Sequence, residues 1–316
     1  MFSSPLLVDR SAQGKIALMG SDRASFLHGL LTNDITRLTP GTGTYAAYLT
    51  PQGRMISDMR VLEIGDTLLL DVEASVVSAL AEKLDKLIFS EDVVVLNVTA
   101  SLAELGVHGA SAAGLLEQLT GTDVSALARQ YDNARVTLAE SDATVVRDDS
   151  LGMPGFDIYV PSVHAARVRA AVLEAGASEA DHQASEAFRI DAGRPRFGVD
   201  MNTETIPLEA GIEDRAISFT KGCYVGQEVI IRVMHRGRGR VARRLVRLVL
   251  PSGTGVPSPG DKILSGDRPV GEVTSAALSP KTGTPVAMGY VHRDFAAAGS
   301  ELTIGGSKAV LYQPGD

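Results

Sequence analysis

Apolar residues in this chain follow two rhythms, one helical and one alternating. Phe26, Leu27, Leu30 and Leu31 are spaced for one helix face. Ser21-Asp22-Arg23 supplies its start, and the polar turn Thr32-Asn33-Asp34 its end. The spacing of Val76, Val77, Leu80, Leu84, Leu87 and Ile88 predicts a second helix over 74–89. Between these helices, 44–50 and 54–64 read as two strands joined by Pro51-Gln52-Gly53, followed by strands over 67–72 and 92–98. This region predicts a mainly antiparallel sheet. Further on, a strand over 101–109, a helix over 111–119, strands over 135–139, 143–146 and 155–160, and a helix over 162–175 have the order of a split βαβ unit. A helix over about 184–192 stops at Gly193 and Pro195. After it, 197–207 reads as irregular chain within a loop-rich region, and Val229-Ile230-Ile231 and Val233-Met234 read as a helix fed by a tight loop. From 245 to 312, short strands separated by turn residues predict a small β-barrel or sandwich.

At 316 residues the chain is too long for one core. The segments divide it into an α+β domain over 1–98, a ferredoxin-like α+β domain over 99–183, a connecting segment over 184–240 and a barrel over 241–316; the first can interleave with the third. A charge of −8 argues against generic binding to nucleic acid or an anionic membrane. No apolar run is long enough to span a bilayer, and Met1 to Lys15 lacks the pattern of a signal peptide. Without a coiled-coil pattern, a monomer is expected. One local reversal of charge stands out: Arg232, Arg236, Arg238, Arg240, Arg243, Arg244 and Arg247 fall within sixteen positions.

The chain has one cysteine, so it forms no internal disulfide, which fits a reducing cytoplasm. A dithiol cycle and a cysteine-rich zinc site are both excluded, and no metal site is expected. Cys223 lies in Lys221-Gly222-Cys223-Tyr224-Val225-Gly226-Gln227-Glu228. A free cysteine is commonly a small buried hydrophobe. Here a cation two residues away and a helix start close behind favour a partly ionised thiol, which makes Cys223 and Lys221 candidate catalytic residues. The flanking glycines would let a ligand approach the backbone closely.

This octapeptide resembles the signature of the folate-binding YgfZ family, which is related to the aminomethyltransferase (T-protein) of the glycine cleavage system. Phe26 to Ile35 resembles that family's N-terminal helix and turn, and Ala187 to Pro195 its central helix. The resemblance implies an α+β T-protein-like fold with a C-terminal β-barrel around a central opening. It also implies tetrahydrofolate as cofactor, and a role in building or repairing iron–sulfur clusters on client or assembly proteins, tRNA modification among the processes served. A folate site needs polar groups for the pterin edge, aromatic walls, and cations for the tail. Asp58 and Asp191 are candidates for the first, and Tyr45, Tyr48, Phe197 and Tyr224 for the second. Lys221 and arginines such as Arg232 are candidates for the third. Asn33, Gln227 and Glu228 join them as folate contacts through the motifs. T-proteins resemble one another in two adjacent acids after the first hairpin glycine. Here only Asp58 is acidic, with Ser57 before it. That departure makes folate binding with methylene transfer lost the leading expectation, and a T-protein-type aminomethyltransferase the alternative.

Overall fold

The computed structural model describes residues 4–235, 240–297 and 300–312. Two sheets and a barrel make up the molecule. The first sheet has the order β3-β4-β5-β2-β6. Its strands are β2 (Gly14–Met19), β3 (Thr42–Leu49), β4 (Met55–Glu63), β5 (Leu68–Val72) and β6 (Val94–Asn97). Every pairing in it is antiparallel. The helices α1 (Arg23–Leu30) and α2 (Val77–Asp85) cover one face. There Leu27, Leu31, Leu80 and Leu84 meet Ala46, Tyr48, Met59 and Val61 in one core.

The second sheet runs β11-β1-β7-β10-β9-β8. It comprises β1 (Leu6–Asp9), β7 (Leu102–His108), β8 (Asn133–Leu138), β9 (Ser141–Arg147), β10 (Gly155–Pro161) and β11 (Ser178–Ala180). Helices α3 (Ala112–Thr120) and α4 (Ala165–Glu174) pack on its outer face. The split βαβ order is not what forms. β8, β9 and β10 make a meander that returns to β7, and the one parallel pair is β1 with β11. β1 therefore sits in the second sheet although it opens the chain.

Strand alternation gives each sheet a second face, and these faces turn toward each other. Leu62 and Leu69 of the first sheet meet Val146 and Tyr159 of the second. Beside this apolar contact lies a buried ionic cluster. Arg60 donates to Glu104 (2.6 Å) and to the Tyr159 hydroxyl (2.9 Å), and also pairs with Asp71 and Asp157. Lys15, fully buried, lies 3.2 Å from Glu104, and Arg10 lies 2.9 Å from the same carboxylate. Burial pushes the Asp157 carboxyl up, but Arg10, Arg60 and His108 outweigh it and hold it below the usual carboxylate range. Each acid here is close to a cation, the arrangement that makes buried charge tolerable.

The connecting segment contains α5 (His182–Asp191), α6 (Pro207–Ala210), α7 (Glu213–Ala216) and α8 (Gln227–His235). Two of these helices, α6 and α7, are single short turns within the region that the sequence reads as loop-rich. Gly193 ends α5 with a positive φ of 63°. The barrel closes as β12-β15-β14-β13-β16-β17. Its strands are β12 (Arg243–Val249), β13 (Lys262–Ser265), β14 (Arg268–Leu278), β15 (Pro285–His292), β16 (Leu302–Ile304) and β17 (Ser307–Tyr312). The result is an α+β fold with two sheet domains and a closed six-stranded C-terminal barrel. Among the described residues, no helix is long and apolar enough to cross a membrane.

Candidate functional site

A cavity of about 320 Å³ opens between the two sheets, with α5, the loop after it, and α7 around its side. That size is at the small end for a ligand site. β3 and β4 form its floor and contribute Tyr45, Asp58 and Arg60. The pairing of β3 with β4 shifts register between Tyr48 and Leu49, close to where β4 begins. Beyond the shift Asp58 and Arg60, two apart, share the cavity face, while Val61 belongs to the core under the helices.

The Tyr45 hydroxyl donates to Asp58 Oδ2 at 2.5 Å. Burial is the main reason the Asp58 carboxyl is pushed up to about 6; the Tyr45 hydrogen bond and Arg215 pull the other way. The same burial raises the Tyr45 phenol well above its usual value, and Asp58 adds to that. Arg215 lays its guanidinium over the Tyr45 ring, 5.2 Å from the centroid. Phe197 and Tyr131 complete a wall of rings. A carboxyl that changes protonation near neutrality, beside a fixed hydroxyl donor, can take up or release a proton without leaving its place.

Ser57 is fully buried and its hydroxyl donates to the Asp58 carbonyl at 2.7 Å. Neighbouring strand positions face opposite ways, and Ser57 does not line the cavity. The missing acid of the expected pair thus sits at a position that does not serve this space.

Of the other expected site residues, none lines the cavity. Asp191 is buried against the barrel: its Oδ1 accepts from Arg247 at 3.3 Å and its Oδ2 has no partner. The same helix gives the cavity Glu186 and Arg189 instead. Asn33 is used by the fold. Its amide donates to Thr44, to the Tyr45 carbonyl and to the Arg215 carbonyl at 2.9–3.0 Å, and its Oδ1 accepts from Asp34 N–H. Tyr224 is buried in the core around α8. Gln227 and Glu228 begin α8, and Arg232 is exposed near its end.

Within the signature segment, the Lys221 ammonium donates to the carbonyls of His28, Leu31 and Asn33, the last two at 2.6 and 3.1 Å. Burial pulls Lys221 down to about 8, and Asp34 partly opposes it. The expected partner of the thiol is therefore directed at the end of α1. Cys223 is exposed. Gly226, with φ at 84°, brings the segment onto the hairpin turn, since a Cβ there would lie 2.5 Å from the Thr50 carbonyl oxygen. The close approach this glycine permits is chain to chain.

The arginine run is also divided. Arg236 and Arg238 lie outside the described residues. Arg243 pairs with Glu209 and stacks over Tyr290 at 4.4 Å, while Arg247 reaches Asp191 and the Tyr312 ring. These contacts bind the barrel to the connecting segment, α5 included. Of the cations that do line the cavity, Arg189, Arg194 and Arg196 lie on α5 and the loop after it, while Arg10, Arg60 and Arg215 come from separate parts of the chain. Among the described residues, His108, Asp148 and Asp157 also bring donor atoms within 4.8 Å of one another, but Arg10 and Arg60 face both carboxylates.

Comparison with known proteins agrees with this architecture. Residues 3–221 match the family described as the GCVT N-terminal domain, and residues 243–310 the glycine cleavage T-protein C-terminal barrel domain. An aminomethyltransferase of Streptomyces coelicolor is 30% identical over 301 residues, covering 93% of this chain and 80% of that protein. One from Caldanaerobacter subterraneus subsp. tengcongensis is 29% identical over 306 residues, covering 94% and 80%. The crystal structure of the glycine cleavage system aminomethyltransferase T from Bartonella henselae superposes with a TM-score of 0.85 at 22% identity, covering 99% of this chain and 86% of that one. These relatives overturn the expected iron–sulfur accessory role: they span nearly the whole chain and are named aminomethyltransferases, whereas that expectation rested on the signature, the arginine run and the single thiol. The chain belongs to the GCVT N-terminal domain family and carries that family's C-terminal barrel.

Proposed function

We propose that this protein is a tetrahydrofolate-dependent aminomethyltransferase of the glycine cleavage T-protein type. The observation that carries the reading is the Tyr45–Asp58 pair on the floor of a ring-walled cavity. The family uses tetrahydrofolate, and the cavity's chemistry fits such a ligand. Phe197, Tyr131 and Tyr45 offer flat surfaces, Asp58 faces N–H groups or a reacting nitrogen, and Arg196 has a buried Nε with no partner of its own. Bound folate supplies the nitrogen atoms that receive the one-carbon unit. The chain supplies placement and a proton site: Asp58 holds or releases a proton at a carboxyl poised near neutrality, and Tyr45 fixes its orientation. Ser57 does not argue against turnover, because position 57 faces away from the cavity. The likeness of 221–228 to the YgfZ signature is a likeness of sequence, and it adds no group to the cavity.

The reading is tested by supplying aminomethyl-lipoyl carrier protein and tetrahydrofolate and measuring methylenetetrahydrofolate and ammonia. Formation of both, lost in Asp58→Asn, supports it. Absence of product from a protein that binds tetrahydrofolate refutes the transferase reading.

A further inference from the structure

β3 is an edge strand of the first sheet, paired there only with β4. The outward backbone groups of an edge strand need partners other than a strand. Here the polar turn after α1 supplies them. Thr32 N–H donates to the Ala47 carbonyl at 3.0 Å, and Ala47 N–H donates to the Thr32 hydroxyl oxygen at 2.8 Å. Two residues back along the strand, the Asn33 amide donates to the Tyr45 carbonyl at 2.9 Å. The same turn also holds the chain at 215–218. The Thr32 hydroxyl donates to the Ala216 carbonyl at 2.6 Å, and Ser218 N–H donates to the Thr32 carbonyl at 3.0 Å. The Asn33 amide reaches the Arg215 carbonyl at 3.0 Å. With Thr44 Oγ1 as a third acceptor at 2.9 Å, its two N–H groups are fully used and none is left for a ligand.

The two residues whose carbonyls Asn33 joins are the two whose side chains stack in the cavity. The Arg215 guanidinium lies 5.2 Å from the centroid of the Tyr45 ring, and both residues line the space. The far end of that ring is the hydroxyl that donates to Asp58 at 2.5 Å. A hydrogen bond weakens steeply when its donor leaves the line to the acceptor, and a side chain moves with the backbone that carries it. We infer that Asn33 is a positioning residue: by tying the Tyr45 and Arg215 carbonyls with one amide, it fixes the stacked pair and so the meeting of the Tyr45 hydroxyl with Asp58. Asn33 touches no reacting atom itself and lies outside the cavity. What the Tyr45–Asp58 pair does rests on the transferase reading above; that Asn33 places the pair rests on these contacts.

The experiment is a carboxyl-carbon NMR titration of Asp58 in the full chain, with its signal assigned by Asp58→Asn. The Tyr45 hydrogen bond holds the Asp58 carboxyl down, against burial. Loss of the tie should therefore raise the midpoint of Asp58 by about 0.5 in Asn33→Ala, against about 1 in Tyr45→Phe. Asn33→Ser, which loses the amide but keeps a small polar group, should raise it as well and serves if Asn33→Ala does not fold. In the Tyr45→Phe background, Asn33→Ala should add no further rise, since it acts through the hydroxyl. A merely structural role would lower stability and leave the midpoint in place. An unchanged or lowered midpoint in a folded variant overturns the inference, and so does an equal further rise in the Tyr45→Phe background. In the transferase assay Asn33→Ala should lose about tenfold in kcat. If the parent forms no methylenetetrahydrofolate, the transferase reading fails, while the titration still decides whether Asn33 places the pair.

Discussion

Two regions of this molecule contain polar groups gathered in a small space, and only one leaves them available. In the segment 221–228 the cation is bonded to three carbonyls, the aromatic ring is in the core, and the glycine with positive φ makes room for a neighbouring turn. On the cavity floor the Asp58 carboxyl borders open space. Asp58 holds one hydroxyl hydrogen bond and a raised proton affinity, with rings around it. The contrast shows that a distinctive run of residues can serve the joining of elements. Availability of a group has to be read from its partners.

The largest difference between the two regions is expected in turnover. Asp58→Asn should lower methylenetetrahydrofolate formation roughly a hundredfold to ten-thousandfold in a steady-state assay, with folding intact. Because burial raises the folded-state value of this carboxyl from 3.8 to about 6, its charge opposes folding above that pH. Asp58→Asn should therefore unfold at a higher denaturant concentration than the parent above pH 6, with the difference vanishing below the unfolded value of 3.8. The next effect belongs to the other region and is structural. Lys221→Met removes a donor from three carbonyls and should cost about 1–3 kcal/mol in chemical denaturation, with turnover per folded molecule unchanged.

Tyr45→Phe sharpens the account of the cavity itself. The hydroxyl lowers the proton affinity of Asp58, so its loss should move the acidic limb of the pH–rate profile upward from about 6. An unmoved limb would mean that another group sets the profile. The smallest effect should come from Cys223→Ser, which is expected to leave turnover within about twofold, since the thiol is exposed and outside the cavity.

Much of the fold is legible in the chain because its signals are local. The stripes of α1 and α2, the turn at Pro51-Gln52-Gly53 and the turn-punctuated barrel strands each state their own geometry. β1 and β11 are not legible, since a four-residue and a three-residue strand are defined only by partners far along the sequence. The ionic cluster is hidden for a different reason. Arg60, Asp71, Glu104 and Asp157 stand in apolar runs with the alternation of strands that have one wet face. That face is turned toward the other sheet, and the only hint is that each charge is flanked by apolar residues. For the site, Tyr45 and Asp58 are recoverable because the hairpin is. Arg194 and Arg196 are overshadowed by the denser run of arginines after 231, of which Arg243 and Arg247 find partners in the barrel and the connecting segment.

The central claim is that the ring-walled space between the sheets, rather than the cysteine segment, receives the folate. Calorimetric titration of tetrahydrofolate into Phe197→Ala and Cys223→Ser, beside the parent protein, tests it most directly. The account predicts at least about tenfold weaker binding for Phe197→Ala, as expected when an aromatic wall is lost, and parent-like affinity for Cys223→Ser. Parent-like binding by Phe197→Ala together with weakened binding by Cys223→Ser would contradict it.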